Sequence, residues 1–349
     1  MEQGADIARA RKPTLKDVAN MAGVSPMTAS RVIGDKGGVS AEMTRKVHAA
    51  AKKLGYSRNE AARLMRPGQR SGLLGVIVTN IDNPYYAQVL LGVEAAAKDA
   101  GRQIITGFSH NDPRLEAELV RDLSARQIEG LIVVPARADA PHLAAAAKAG
   151  MPIALASRSI NHGRVDTVLV DDIGAVRTEV GKLLDEGRHP IAFLGGEPTI
   201  TTAARRYAGF VQAHTDAGVE VDQRYVRQMP SEPAAVVRVT RELLAMDEPP
   251  AAFFTANNRF SINVLRVLLD LHARWTPHST APRLVGFDTF ELADLVPYPL
   301  TLIEHDAQAL GRLAAELTLR RINSAERTPP ITMTMPSVGV VHGLQPNSS

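Results

Sequence analysis

The sequence predicts a small all-α domain followed by a larger α/β domain of two lobes. Three observations predict it. Charge divides at Ser71, with a basic segment before it and an acidic body after it. Within the basic segment, apolar residues recur at helical spacing behind capping residues. Within the body, short apolar β-rich runs alternate with helical stretches in two successive rounds. The 349 residues suit two or three domains. An apolar share of 45% is enough for a sizeable core and too much for a mainly disordered chain.

The charge division is large. Residues 1–71 carry 14 Lys plus Arg against 6 Asp plus Glu, a net of +8. Residues 72–349 carry 26 against 31, a net of −5. The total of +3 hides both. A basic segment on an acidic body is the footprint of a polyanion reader, although a solubilising basic tail has the same charge. Pattern has to separate the two.

Residues 1–12 read as a disordered tail. Thr14 and Asp17 form a capping signal, T-L-K-D, ahead of Leu15, Val18, Ala19 and Ala22 at helical spacing. Gly23 ends that run and permits a tight turn. Ser25 is the N-cap of a second helix and Pro26 suits its first position, where no N–H is needed. Ala29, Val32 and Ile33 are its apolar residues. After GDKGGV, Ser40 caps a third helix with apolar Met43, Val47, Ala50 and Leu54, and Gly55 stops it. Two short helices joined by a Gly-containing turn, with a third in support, make a helix-turn-helix over 13–57. Spacing alone also allows a generic three-helix bundle.

In helix-turn-helix geometry the start of the second helix enters the DNA major groove. Pro26, Met27, Thr28, Ser30 and Arg31 would face the bases. Arg31 can donate two parallel bonds to guanine O6 and N7, worth ~1–3 kcal/mol of discrimination. Thr14, Ser25, Thr28 and Ser30 could hold phosphates. Asn59 can cap a short helix over 60–66, ended by Pro67-Gly68, that one or two turns cannot keep stable alone. The same residues also read as a plain linker.

In the body, strands are expected at 73–79, 103–108, 130–135, 153–156 and 167–170, with helices at 85–100, 114–126 and 142–149 between them. The second round gives helices at 174–186, 203–217, 234–245 and 261–272 and strands at 191–195, 252–255 and 283–287. Such alternation means parallel sheets with helices on both faces, and two rounds mean two lobes with a ligand cleft between them.

Several function classes are excluded. There is no cysteine, hence no disulfide framework, Cys-ligated metal or cysteine nucleophile. G-x-S-x-G, the P-loop and a post-strand G-x-G-x-x-G are missing. The nearest His pair, His272 and His278, lacks a third ligand. No enzyme, cofactor or metal is therefore expected. Residues 1–12 hold no apolar core for a signal peptide, and no run is long and apolar enough to span a membrane. A cytoplasmic location is expected, with no membrane partner.

The runs TLKDVANMAGVSPMTASRVIG and VSAEMTRKVHAAAKKLGYSRNEAARLMR resemble the headpiece of the lactose-repressor (LacI/GalR) family of bacterial transcription factors over 13–66. The remaining chain resembles that family's effector domain to about residue 343. The resemblance implies a homodimer on palindromic operator DNA, with headpieces in the major groove. Paired hinge helices over 58–70 fold in the minor groove, with Met65 as the wedge, preceded by Ala62 and Arg63. It implies a type I periplasmic-binding-protein-like body at 71–343 and tails at 1–12 and 344–349. The first lobe would be 71–171 with 305–326 and the second 172–304 with 327–343. The chain would cross between lobes near Asp171, near 303–305 and near Arg327. The helix 307–321 would join the first lobe and 331–335 the second.

The resemblance also implies an effector site. AARRYAGF places Arg206, ANN places Asn257 and Asn258, GFD places Asp288, and NPYY places Tyr85 and Tyr86. Arg206 and Asp288 could bond vicinal hydroxyls from opposite sides, or simply pair with each other on the surface. The tyrosines could stack on a sugar face or point into the core. Two residues depart from the family pattern: Asn258 replaces its usual Asp, and Ser157 stands where an acid often precedes Arg158. A carboxylate-poor cleft would suit a sugar acid or phosphorylated sugar. The function implied is a repressor of carbohydrate-uptake or catabolic genes, released from its operator by a sugar, sugar acid or related metabolite bound between the two lobes. A sugar-binding transport protein, or an α/β enzyme with a cryptic site, is the alternative. HGLQPNSS carries no Leu heptads, so a dimer is expected rather than a tetramer built on a terminal coiled coil.

The groove assignment generates a test. Arg31→Ala should abolish preference for a selected operator while keeping much of the affinity for random DNA, because phosphate contacts remain. Gel-shift titration against both DNAs measures this. An equal loss on both would remove Arg31 from base reading.

Overall fold

The computed structural model describes residues 13–34, 37–56, 71–162, 164–272, 281–324 and 328–343. The expected tails and hinge helix, with Asn59, Ala62, Arg63 and Met65, lie outside the described residues. The chain divides into two compact units, 1–70 and 71–349.

The first unit has three helices, α1 (Leu15–Ala22), α2 (Pro26–Ile33) and α3 (Ala41–Leu54). The capping box on α1 is complete: Asp17 N–H donates to Thr14 Oγ1 at 3.4 Å and Thr14 N–H to Asp17 Oδ2 at 2.7 Å. Gly23 adopts φ +66°, which a left-handed turn requires. Ser25 and Ser40 accept from Thr28 N–H and Met43 N–H at 3.1 and 3.3 Å. Val18, Ala19, Ala29, Val32, Val47, Ala50 and Ala51 form the core. Met43, expected among the apolar contacts, is 46% exposed. It shares the face of Val47 and Ala50 but sits in the first turn of α3.

The second unit contains two six-stranded sheets. The first is built from β1 (Leu73–Val78), β2 (Gln103–Phe108), β3 (Gly130–Val133), β4 (Ile153–Ala156), β5 (Asp166–Val170) and β11 (Thr332–Met335). Its order is β11-β5-β4-β3-β1-β2, all parallel. The second holds β6 (Ile191–Gly195), β7 (Val226–Gln228), β8 (Ala252–Thr255), β9 (Arg283–Phe287), β10 (Leu300–Glu304) and β12 (Val338–His342), in the order β12-β10-β9-β8-β6-β7. Only β12 runs antiparallel to its neighbour. Near-continuous apolar strands such as GLIV and IAFLG are fully buried, as a sheet covered on both faces demands. In each sheet the order reverses beside the lobe's first strand, β1 or β6. That reversal opens a crevice at the carboxyl ends.

The helices are α4 (Pro84–Asp99), α5 (Pro113–Ala125), α6 (Pro141–Lys148), α7 (Asp172–Asp185), α8 (Thr201–Asp216), α9 (Pro233–Leu244), α10 (Asn258–His272) and α11 (Ala307–Asn323). Four of them begin with Pro at the first position. α11 returns to pack on α4. The two backbones touch: a Cβ on Gly92 would fall 1.9 Å from Gln308 O, and one on Gly311 would fall 2.1 Å from Val89 O.

The placement of 331–335 needs correction. It was expected in the second lobe, after a crossing near Arg327. β11 instead completes the first sheet against β5. The cause is Asp166, a 2%-exposed carboxylate. It takes two bonds from Arg321 of α11, both 2.8 Å, and one from Ile331 N–H, also 2.8 Å. Arg321 also donates to Thr328 O and Pro329 O. The clamp seats the segment on the first lobe, and this last crossing falls instead at Pro336–Ser337. The alternating T-M-T-M run reads the same on either sheet. Three strands also escaped the sequence reading: β7, β10 and β12.

Gly92→Ala should force α4 and α11 apart and cost about 1–3 kcal/mol. Gly181→Ala, in α7 with open space around it, should be neutral or stabilising by up to about 1 kcal/mol. Urea unfolding of both variants measures this. Equal stabilities would contradict the close crossing.

Candidate functional site

The helix-turn-helix offers one polar face. Ala29 and Val32 point inward and are buried, which turns Pro26, Met27 and Arg31 to the outside. Met27 is 74% exposed. Ser25 is exposed, and Thr28 and Ser30 are half-buried beside it. The structure therefore brings the expected second-helix contacts and their cap, Ser25, to one surface. Thr14 is different: its hydroxyl donates to Asp17 Oδ2 at 2.7 Å, so its proton is spent on the cap.

The second site is a cavity of about 570 Å³ between the two sheets of the body. All seven expected effector residues line it: Tyr85, Tyr86, Ser157, Arg158, Arg206, Asn257 and Asp288. Topology is the reason. His110 follows β2, Arg137 follows β3, Ser157 and Arg158 follow β4, and Asp172 follows β5. Asn257 follows β8 and Asp288 follows β9. Carboxyl ends of parallel strands converge there.

Arg206 is the centre of the second-lobe wall. It is 7% exposed. Its Nε donates to Asp172 Oδ1 at 2.8 Å and its Nη1 to Ala256 O at 2.6 Å. Asp288 Oδ2 lies 3.5 Å from Nη1, and the guanidinium carbon sits 3.6 Å over the Phe287 ring. Burial alone would pull its pKa down; Asp288 and Asp172 more than offset this, and the net shift is upward. The expectation that Arg206 and Asp288 act from opposite sides fails. They stand side by side, because β9 and α8 belong to one lobe. The pair is also no surface bridge, since both residues are buried. Asp288 holds φ +66°, a strained conformation for a non-glycine, and its Oδ1 has no hydrogen-bond partner.

Tyr85 and Tyr86 stand on the first-lobe wall, where Asn83 caps α4 and Pro84 opens it. Tyr85 OH shares a 2.5 Å hydrogen bond with Ser157 Oγ. Burial, and then the Asp288 carboxylate, hold its pKa well above the ordinary phenol range, so it stays protonated. Its ring packs edge-on against Tyr86 and tilts on His305. Burial keeps the His305 pKa low despite Asp288, so the ring is neutral at neutral pH. Asn257 Oδ1 accepts from Arg259 N–H and Phe260 N–H, which leaves its amide nitrogen for the cavity.

The sequence reading missed several lining residues. Asp172 is the most important, a fully buried carboxylate bonded by both Arg205 and Arg206. Glu197 and Glu232 also line the second-lobe side. The cavity is therefore not carboxylate-poor, against expectation. Its first-lobe wall is, with Asp82 alone against Arg137 and Arg158. A polar residue directly after a strand was the available signal.

Asn258 also needs correction. It does not face the cavity but bridges the lobes. Its Nδ2 donates to Asn83 Oδ1 at 2.9 Å and to Thr289 O at 3.2 Å. Asn83 Oδ1 already accepts Tyr85 N–H, so position 258 must supply a donor. Two further bonds cross between the lobes: Arg137 Nη2 to Glu197 at 3.2 Å and Arg259 Nη1 to Asp82 O at 3.4 Å.

An Asp at 258 would set a carboxylate against two oxygens. Asn258→Asp should cost about 1–3 kcal/mol at pH 7. Its folded-state pKa would be raised, so the deficit should shrink as pH falls through the carboxylate range and the acid protonates. Unfolding of variant and wild type at pH 7 and pH 4.5 measures this. A deficit that grows on acidification would refute the bridge.

Known proteins give the same picture. Residues 14–59 match the family described as bacterial regulatory proteins, lacI family. Residues 71–337 match the periplasmic binding proteins and sugar binding domain of the LacI family. The chain is 29% identical over 334 residues to the HTH-type transcriptional regulator CelR of Thermobifida fusca, covering 94% of this chain and 96% of that protein. A solved complex of transcriptional regulator CelR with cellobiose has a TM-score of 0.67 at 27% identity, over 94% of this chain and 98% of that one. The lac repressor dimer bound to operator and an anti-inducer shares the fold, with a TM-score of 0.81 at 23% identity over 95% and 98% of the chains. Regulators of this family bind operator DNA and small effectors and are not enzymes. The helix-turn-helix, the two parallel sheets and the cavity between them are those of this group, and the chain belongs to the LacI family of DNA-binding transcriptional regulators.

Proposed function

We propose that the chain represses carbohydrate-uptake or catabolic genes and leaves its operator when a sugar, sugar acid or related metabolite occupies the cavity. One observation carries this reading. The cavity presents a buried acceptor without a partner, Asp288 Oδ1, beside the buried guanidinium of Arg206. A ligand hydroxyl donating to that oxygen would satisfy it, and buried polar groups left unpaired are costly. Tyr85 and Tyr86 supply ring faces, and the Asn257 amide supplies a donor. The CelR–cellobiose complex supports a sugar as the ligand class.

The operator reading rests on the helix-turn-helix. A homodimer sets two headpieces on a palindromic site, with Pro26, Met27, Thr28, Ser30 and Arg31 toward the bases. Thr14 and Ser25 lie toward phosphates, through backbone N–H groups at the helix starts as much as through their hydroxyls. The hinge residues Asn59, Ala62, Arg63 and Met65 read the minor groove between half-sites. Ligand binding shifts the balance between open and closed lobes and thereby the hinge, which couples the two sites.

The test is a panel of sugars, sugar acids and polyols added to the protein–operator complex. At least one should weaken operator binding at least about tenfold, a coupling of ~1.4 kcal/mol. Arg206→Ala should still bind operator and no longer respond. Operator affinity unmoved by any member would count against the sugar class. A normal response in Arg206→Ala would remove Arg206 from the effector site.

A further inference from the structure

We propose that the effector carries an anionic group, a carboxylate or a phosphate, and that Arg158 on the first-lobe wall is its docking point. This rests on the proposed effector function and narrows its ligand class.

Arg158 is 6% exposed, yet none of its partners is charged. Nη1 donates to Asn111 Oδ1 at 2.8 Å and to Pro135 O at 2.9 Å. Nη2 donates to Tyr86 OH at 3.1 Å. Other buried or half-buried arginines behave differently. Arg102 meets Glu129, Arg206 meets Asp172, and Arg321 meets Asp166. Among the described residues no carboxylate lies within 4 Å of Arg158. A buried guanidinium without a counter-charge is costly, and an incoming anion removes that cost.

The donors are available. A guanidinium has five N–H groups, and three bonds leave Nε–H and one Nη2–H unused. Two such donors suit two oxygens of a carboxylate or phosphate, a geometry that arginine favours over lysine.

The backbone around Arg158 is built for this position. Arg158 N–H donates to Ala156 O at 2.7 Å across Ser157, whose φ is +62°. This closes a γ-turn of the rarer, strained form. His110 and Asn111, which supplies one of the acceptors, also hold positive φ. Four of the six non-glycine residues with positive φ among the described residues line this cavity: His110, Asn111, Ser157 and Asp288. Strain gathered at one site points to function there.

Neighbouring pairings leave Arg158 without a counter-charge in contact. Arg137 on the same wall is met by Glu197 from across the cavity. Ser157, next in chain, is neutral and its hydroxyl is taken by Tyr85. Of the acids on the opposite wall, Asp172 and Asp288 meet Arg206, Glu197 meets Arg137, and none meets Arg158.

Thermal unfolding of the full-length protein in sodium phosphate, against sodium chloride of equal ionic strength, tests the proposal with the bare anion. Near saturation, phosphate should raise Tm by about 2–4 °C more than chloride does. Arg158→Gln should lose that excess, and Arg158→Lys, which keeps charge but not the fork, should keep part of it. No excess in the wild type, or an excess undiminished in Arg158→Gln, overturns the site. If Arg158→Gln does not fold in chloride, the wild-type excess and its reduction in Arg158→Lys decide instead. A matched hexose, hexuronate and hexose phosphate in the operator-release assay then separate the sources. Release by the hexuronate alone assigns a carboxylate, and release by the phosphate ester alone assigns a phosphate. Release by the neutral hexose only overturns the anion site and leaves the effector reading standing. A phosphate excess lost in Arg158→Gln, with operator affinity unmoved by all three, upholds the anion site and counts against the effector reading.

Discussion

The body of the protein depends on neutralising one buried cation. Arg206 has left water almost completely, and an ion that does so without partners costs several kcal/mol. Its partners come from separate parts of the second lobe. Asp172 opens α7 directly after the chain leaves the first sheet, Asp288 follows β9, and Ala256 O follows β8. One guanidinium thus ties the first crossing to two strand ends. Phe287 beneath it supplies an apolar floor with a favourable π face. The wall is rigid before any ligand arrives, so less ordering cost falls on binding.

The grip between the lobes is of another kind. Arg137 with Glu197 and Arg259 with the Asp82 carbonyl are polar bonds near solvent, and Asn83 with Asn258 is a neutral bond from a buried amide. Exposed ion pairs of this sort are worth ~0–1 kcal/mol each. Parting the lobes exchanges them for water bonds at little cost. An equilibrium that is nearly balanced can be moved by a modest difference in ligand affinity between open and closed forms. A rigid wall and a weakly held closure are what a sensor requires, since binding energy then goes into moving the lobes.

Much of this was legible in the sequence because local signals and global packing agree. Caps at Thr14, Ser25 and Ser40, and stops at Gly23 and Gly55, fix the headpiece helices by short-range chemistry. The strand at 191–195 and that at 283–287 are apolar runs bounded by breakers, and the structure places them there. The cavity residues were found through strand ends and a family resemblance. What stayed hidden depends on distant partners. Asp172 looks like an ordinary helix-start acid until Arg205 and Arg206 fold against it. Asn258 looks like a ligand contact until Asn83 is placed opposite. The sheet that 331–335 joins is decided by Arg321 and Asp166, 155 positions apart.

That clamp has a consequence for how the protein is made. The first lobe begins at β1 but is finished by α11 and β11, which the ribosome delivers after β6 to β10. Until then α4 lacks the helix that covers Gly92, and β5 is an open edge. The second-lobe strands β6 to β9 emerge before the first lobe can close. The first lobe can therefore close only late, with an apolar face and an unpaired strand left open until α11 and β11 arrive. A chain cut short anywhere before 335 leaves that lobe unfinished. Effector sensing is thereby confined to molecules that carry α11 and β11.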